Sequence, residues 1–262
     1  MVKTALQVTL AAALMSSAAL ADGWTKTFAV PGKPELQVVA GDASVHVRAW
    51  DRQEIQARVT TTGAKIGTDA VRVIDHQTGN RVELEVRIPR TSFGLFGHGS
   101  VHIELQVPRE LRSDIRTGDG GISIESIRGE THLYTGDGSI DVDSLDGTLD
   151  AKTGDGSVRV RGRFDLLSLS TGDGSIEASV NPGSKMNSMW TIRTGDGHVT
   201  LRLPSDFSAE LNVRTGDGSI HSDLPVAVSG AHRNNELRGK LNAGGSLLTV
   251  QTGDGSVQLN RL

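Results

Sequence analysis

The sequence predicts an all-β protein: a right-handed parallel β-solenoid of two-strand coils of about 18 residues, with an irregular N-terminal β capping region. Three observations support this fold class. A turn tetrapeptide recurs through the second half of the chain, apolar residues alternate between its copies, and aromatic residues are scarce. The 262 residues include 32 Gly but only 5 Phe, 3 Trp and 1 Tyr. We therefore expect a thin, aliphatic core.

The first predicted segment, residues 1–21, has the pattern of a signal peptide. Lys3 supplies the positive start, residues 5–20 are mostly Ala, Leu, Val and Met, and residues 19–21 read Ala-Leu-Ala, a small-x-small cleavage site. We therefore expect export to the periplasm, the cell surface or the medium, with Asp22 as the first mature residue. No later run of about 18 apolar residues follows, so no transmembrane helix is expected after cleavage.

The second predicted segment, residues 22–109, reads as an irregular β region. Seven strand candidates lie between residues 25 and 107, and Gly41-Asp42 and Thr78-Gly79-Asn80 are turn signals. Residues 41–45 and 97–101 resemble degenerate copies of the turn tetrapeptide that recurs in the second half of the chain. We expect this region to start the solenoid and to cap its open edge, because an uncovered edge invites aggregation.

The third predicted segment, residues 110–262, carries the regular repeat. Thr-Gly-Asp-Gly begins seven times, at intervals of 18, 18, 18, 23, 21 and 37 residues. Such units cannot bury their apolar faces alone, so we expect them to stack in parallel in chain order. The longer intervals predict bulged loops at residues 181–189, 204–208 and 225–245. The copies start at Thr117, Thr135, Thr153, Thr171, Thr194, Thr215 and Thr252.

Between the turns, apolar residues alternate with period two, which is the pattern of a strand with one buried face. Val142 and, 18 residues later, Val160 belong to the apolar set, whereas Asp141 and Arg159 belong to the outward set. A helix would need a period of 3.6 residues and would not tolerate paired glycines. The alternation therefore fixes which side chains should face the core.

The turns, the Val107-Pro108 entry to the first clean repeat and the ending at Thr252–Val257 carry a family resemblance. The chain resembles the bacterial β-strand-repeat envelope proteins that are named as adhesins without a known function. The resemblance covers roughly residues 35–262. It implies an envelope protein with this fold, and it offers no catalytic residues to carry over.

The aspartates of the turns are the first candidate site. Stacked at one corner, they would form a column in which neighbours repel by about 0.9 kcal/mol even in water. We expect each to accept amide hydrogen bonds from its own turn, with the glycines supplying positive φ angles and with Arg116, Lys152, Arg193 and Arg214 compensating the charge. Bound calcium is the alternative. The seven are Asp119, Asp137, Asp155, Asp173, Asp196, Asp217 and Asp254.

Phe93, Leu95 and Phe96 form the second candidate site, a loop that either caps the solenoid end or binds a partner. Cysteine is absent, which excludes disulfides, thiolate metal sites and a cysteine nucleophile. The net charge of −4 argues against nucleic acid as a partner. We expect a non-enzymatic binding or structural module without a required cofactor, whose partner is a glycan or an envelope protein. A polysaccharide-active β-helix enzyme is the second hypothesis, and a calcium-stabilised secreted module is the third.

Overall fold

The chain folds entirely into β-strands over the residues that the computed structural model describes, which are 22–67, 71–89, 99–229 and 234–262. These residues form 21 strands in one hydrogen-bonded sheet and contain no helix, so the all-β prediction is confirmed. The strands are β1 Asp22–Ala29, β2 Glu35–Ala40, β3 Ala43–Trp50, β4 Glu54–Thr62, β5 Arg72–Thr78, β6 Arg81–Arg87, β7 Ser100–Pro108, β8 Arg112–Arg116, β9 Ile122–Glu125, β10 Arg128–Thr135, β11 Ile140–Thr153, β12 Val158–Ser170, β13 Ile176–Val180, β14 Trp190–Arg193, β15 Val199–Leu203, β16 Ala209–Thr215, β17 Ile220–Ser222, β18 Val226–Val228, β19 Glu236–Leu241, β20 Leu247–Thr252 and β21 Val257–Arg261.

The strands pair into two ladders that meet at the turns. Ladder A runs β1, β4, β7, β3, β9, β11, β12, β13, β15, β21 and β17. Ladder B runs β5, β6, β2, β8, β10, β11, β12, β14, β20, β16, β19 and β18. The long strands β11 and β12 belong to both ladders, because each bends at its middle and contributes one half to each.

In the middle of both ladders, pairing is parallel and follows the repeat. Leu133 lies beside Ala151 and Val142 beside Val160, so residues meet their equivalents 18 positions further along the chain, except where the register of β11 and β12 shifts around residues 145–147. Val142 and Val160 are both buried, whereas Asp141 and Arg159 are exposed. The predicted strand phase is therefore confirmed.

The bend opposite the Thr-Gly-Asp-Gly turn depends on backbone conformations that favour glycine. Gly129 and Gly147 have φ values of 135° and 144°, and Ser126 and Ser144 adopt left-handed φ values of 62° and 58°. A side chain at Gly147 would also meet the carbonyl oxygen of Gly129 at 2.2 Å. These glycines let consecutive layers turn the corner in contact with each other.

The stacking order departs from chain order at both ends, which corrects the expectation of sequential stacking. The C-terminal pair β20 and β21 is inserted between β14/β15 on one side and β16/β17 on the other. At the other end, β2 and β3 lie between β6/β7 and β8/β9. Each end therefore contains one layer threaded between two others.

Antiparallel strands lie outside these interleaved layers. At the N-terminal end, β1 and β4 pair beyond β7, and β5 pairs beyond β6. At the other end, β19 pairs with β16, and β18 pairs with β19. The expected loop at residues 225–245 thus contains β18 and β19, and the prediction was wrong there because these strands are too short and irregular to alternate clearly. The seven candidates between residues 25 and 107 correspond to β1–β7.

The core between the ladders is aliphatic along the middle and aromatic near one set of loops. Trp190 is fully buried, with its ring centroid 6.3 Å from Phe164 and 5.3 Å from Phe207. Phe207 lies in the loop at residues 204–208, and Trp190 directly follows the loop at residues 181–189. Both loops therefore anchor an aromatic side chain in the core.

Candidate functional site

The Thr-Gly-Asp-Gly turns stack at one corner, in the order in which their backbones bond. Gly136 N donates to Gly118 O at 2.5 Å, and Gly154 N donates to Gly136 O at 2.5 Å. Gly253 N donates to Gly195 O, and Gly216 N donates to Gly253 O. The aspartates therefore form an exposed column in the order Asp119, Asp137, Asp155, Asp173, Asp196, Asp254 and Asp217.

The threonine of each turn is buried and holds adjacent turns together. Thr153 Oγ1 lies 3.2 Å from Gly136 O and 2.8 Å from Gly138 O, and it accepts a hydrogen bond from Gly156 N at 3.3 Å. The two carbonyl contacts recur for the other turn threonines, all seven of which are buried, and the glycine amide contact recurs for Thr171, Thr194 and Thr252. The hydroxyl thus satisfies carbonyls that the tight corner removes from water.

The glycines of the turn are required for close approach and not for positive φ, which corrects the sequence-based explanation. None of the turn glycines from Gly118 to Gly156 is among the glycines with positive φ. A Cβ at Gly138 would instead lie 2.1 Å from Gly120 O, and one at Gly156 would lie 2.0 Å from Gly138 O. Any side chain here would force neighbouring turns apart.

The surroundings of the aspartate column also differ from the expectation. Asp119 N donates to Asp42 Oδ1 of the neighbouring turn at 3.3 Å, so this carboxylate hydrogen bond runs between turns and not within one. Arg116 pairs with Asp114 and Arg214 with Glu236, and no ion pair joins the column to the rest of the described chain. The positively charged residues that precede the turn threonines therefore do not neutralise the aspartate column.

Nothing in the described ranges groups three or more histidines or carboxylates in a metal-binding arrangement. Calcium binding by the column stays a prediction. The other candidate site, Phe93, Leu95 and Phe96, lies outside the described residues, as does the expected signal peptide. The described residues include no helix long and apolar enough to cross a membrane.

Ladder A presents rows of outward side chains that neutralise one another. Arg159 donates to Asp141 at 2.9 Å and lies 3.6 Å from Glu177, and Arg202 also donates to Glu177. The hydrogen bond from Arg202 holds the pKa of Glu177 below its usual value. Two residues further along the same two strands, Arg161 lies 3.8 Å from Asp143. This part of the face is polar and regular, and the charges of these residues are matched.

A shallow groove crosses ladder A where β7, β3 and β9 meet, and it contains a serine–histidine contact. Ser44 Oγ lies 2.6 Å from His102 Nδ1, and Ser100 Oγ lies 2.9 Å from His102 Nε2. Because serines occupy both ring nitrogens, the histidine has no orienting carboxylate of the kind that activates a serine nucleophile. Nearby, a hydrogen bond from Arg48 lowers the pKa of Glu125.

Ladder B carries an outward row of different character, and the sequence-based prediction had assigned its cations to the aspartate column instead. Tyr134 lies between Arg116 and Lys152, and Ser170 lies between Lys152 and Arg193. Tyr134 is the only tyrosine of the chain, and its side chain is 47% exposed. The period-two alternation predicts that the side chains of these residues point outward. Their alignment in one row follows from the order in which the strands pair.

The family and the fold were also compared with known proteins. Residues 99–260 match the model of the family described as Toastrack DUF4097. No curated protein matches the chain significantly.

Three solved structures resemble the fold at low identity. A "putative cell adhesion protein" from Clostridium sporogenes is 14% identical, covers 92% of this chain and 100% of its own, and has a TM-score of 0.43. A "putative adhesin" from Bacteroides fragilis is 12% identical, with 92% and 97% covered and a TM-score of 0.40. One from Parabacteroides merdae is 9% identical, with 91% and 96% covered and a TM-score of 0.43.

Likenesses this distant say nothing about a shared ligand. The family match itself spans more than half of the sequence and agrees with the resemblance to envelope proteins of unknown function. The chain belongs to the Toastrack DUF4097 family.

Proposed function

We propose that the protein is an exported, non-enzymatic β-solenoid that binds an extended ligand in the bacterial envelope. In this proposal residues 1–21 are the signal peptide, residues 22–109 start and cap the solenoid, and residues 110–262 form right-handed, two-strand coils of about 18 residues. The parallel pairing of equivalent residues supports this arrangement. The mature protein would act in the periplasm, at the cell surface or outside the cell.

The observation that carries the binding proposal is the continuity of the outward rows. On ladder A, Ser123, Asp141, Arg159, Glu177 and Thr200 follow one another through five successive strands. Parallel strands lie about 4.8 Å apart, so each row offers polar groups at a constant interval along the stack. Such a surface suits a linear polymer, a glycan or an extended protein chain, more than a small molecule that needs a concave pocket.

The geometry favours binding over catalysis. A glycosidase needs two carboxylates whose environments separate their pKa values. The exposed column repeats one environment from turn to turn, and the carboxylates of ladder A are paired with arginines. Repetition of this kind gives many equal contacts and no distinct acid and base.

A glycan-binding screen of the purified protein, followed by a turnover assay on every glycan bound, tests the proposal. We expect binding of at least one envelope or surface polysaccharide without any release of reducing ends. Turnover of a bound glycan would establish the polysaccharide-active enzyme instead. Binding that requires added calcium would favour the calcium-stabilised module.

A further inference from the structure

One outward row of ladder B offers charge that the protein itself does not neutralise. We define the cationic strip as Arg116, Tyr134, Lys152, Ser170 and Arg193, which are consecutive neighbours across β8, β10, β11, β12 and β14. Four strand spacings of about 4.8 Å make it roughly 19 Å long. Its length is set by the stack, so its groups keep fixed separations.

The strip differs from ladder A in how its cations are partnered. Arg116 is held by both carboxylate oxygens of Asp114, at 3.0 Å each. Lys152 and Arg193 are exposed and form no ion pair with any described residue. Asp150, two residues before Lys152 on the same strand, lies 3.9 Å from His132 Nδ1. Two cations about two strand spacings apart are therefore available to a ligand.

The uncharged members of the strip also suit a carbohydrate. Tyr134 is half exposed on a rigid strand, and its ring can pack against the apolar face of a sugar. Ser170 lies between the two free cations, and Gln251 follows Arg193 in the same row, so hydroxyl and amide groups are placed to bond sugar hydroxyls. The row continues beyond Gln251 to Arg214, whose guanidinium pairs with Glu236.

The positive charge of the cationic strip favours an acidic polymer over a neutral one. A neutral glycan would leave Lys152 and Arg193 unpaired beneath it, whereas a carboxylate on every sugar or every second sugar of an extended chain can meet both. The aspartate column passes three residues beyond Lys152, at Asp155, and its repulsion is strongest for a densely charged phosphate backbone, which would need more than two free cations.

We propose that the cationic strip binds a linear acidic polysaccharide that contains uronic acids and lies along the stack axis, across the strands. This inference rests on the proposed binding function and names its ligand class and its site. Sugar carboxylates pair with Lys152 and Arg193, and a sugar ring packs on Tyr134. Because the ion pairs are exposed, added salt weakens the complex.

The test measures binding of the purified protein to polygalacturonate and to its methyl-esterified form, which keeps the sugar backbone and removes the charge. The variants are Lys152→Gln with Arg193→Gln, and separately Tyr134→Ala. The matched control is Arg87→Gln, because Arg87 is an exposed arginine on β6 that is already paired with Glu85 and lies outside both the cationic strip and the ladder A row. Melting temperatures of all variants verify folding.

We expect the double variant to lose about ten-fold or more in affinity for polygalacturonate, since both charge contacts disappear. Tyr134→Ala should weaken binding of the same polymer, and Arg87→Gln should bind like the wild type. The wild type should bind the esterified polymer at least about ten-fold more weakly.

The possible failures are distinguishable. Equal affinity of the folded wild type and the folded double variant would refute the cationic strip as the binding site. Equal binding of the acid and the ester would refute the acidic ligand. Neither result would refute the glycan-binding function. Tighter binding of a single-stranded oligonucleotide than of polygalacturonate would also overturn the inference. If the wild type binds no glycan at all, the proposed function fails with it.

Discussion

The middle of the molecule and its two ends use the same turn but are built differently. In the middle, β10, β11 and β12 follow one another in the chain and in space, and residues lie beside their equivalents 18 positions away except at the irregular bend around residues 145–147. At the C-terminal end, the layer formed by β20 and β21 is threaded between two layers that precede it in the chain. The N-terminal end repeats this arrangement with β2 and β3.

The difference shows what each design provides. A strictly sequential stack is stabilised mainly by neighbour contacts, so its ends can fray one layer at a time. An interleaved end ties strands from distant parts of the chain into one unit, and antiparallel strands outside it occupy the next edge. We therefore expect the ends to unfold together with the middle.

The largest expected effect comes from removing the threaded layer. A chain ending at residue 245 lacks the fully buried Leu248, Val250, Val257 and Leu259. Each such side chain contributes about 1.5–3 kcal/mol, and their sum approaches the whole stability of a typical domain, so cooperative melting should be lost. Calorimetry measures this. Leu262→Ser, at a half-exposed terminal residue, serves as the control, and a truncated chain with a sharp transition near that of the wild type would argue for a peripheral C-terminal layer.

A smaller effect is expected from a single core change in the regular middle. Val160→Asp buries a carboxylate without a partner and should cost several kcal/mol, on the order of 3–5. Arg159→Gln, one residue away on the outward face, should cost under about 1 kcal/mol. Chemical denaturation compares the two, and similar midpoints would refute the strand phase.

The buried threonines allow the middle and the interleaved end to be compared directly. Thr153→Val keeps the shape of the side chain but removes its contacts with Gly136 O and Gly138 O, which should cost about 1–3 kcal/mol. Thr252→Val should cost a similar amount, because its hydroxyl makes the equivalent contacts. The control is Ser157→Ala at an exposed position. Urea denaturation in which only Thr153→Val is costly would mean that the inserted layer is packed less tightly than the middle.

The smallest effect is expected at the aspartate column. Asp155→Asn removes one charge between Asp137 and Asp173, so stability should be unchanged or slightly higher, by under about 1 kcal/mol. Calcium or a chelator should not shift the melting temperature of either protein. A calcium-dependent rise in the wild type that the variant lacks would show that ions bridge the turns.

Local features of the fold were predictable, and the order of the layers was not. Alternation within a few residues identified Val142 and Val160 as core positions, because a strand has a fixed period of two. The seven turns are identical tetrapeptides, however, so the sequence of a turn does not specify which turn lies beside it. Short loops enforce chain order in the middle, and the longer segment between residues 222 and 247 permits insertion.

The same reasoning explains what was found and missed at the candidate sites. The aspartates stood out because their charge repeats, whereas the sequence-based predictions gave the threonines no role. Their presence in all seven copies was the signal that could have identified them as structural. The row through Tyr134, Lys152 and Arg193 obeys the same repeat, but it was not recognised because its cations were considered only as partners of the aspartates.

Disulfide trapping tests the interleaved order most directly, because the chain has no cysteine of its own. Thr200 lies beside Gln258, and Gln258 lies beside His221. Adjacent parallel strands are about 4.8 Å apart, within the Cα separation a disulfide needs, whereas two spacings of about 9.6 Å exceed it. Thr200→Cys with Gln258→Cys should therefore form a crosslink in the folded protein, and Thr200→Cys with His221→Cys should not. The reverse result would contradict the threaded layer and restore a sequential stack.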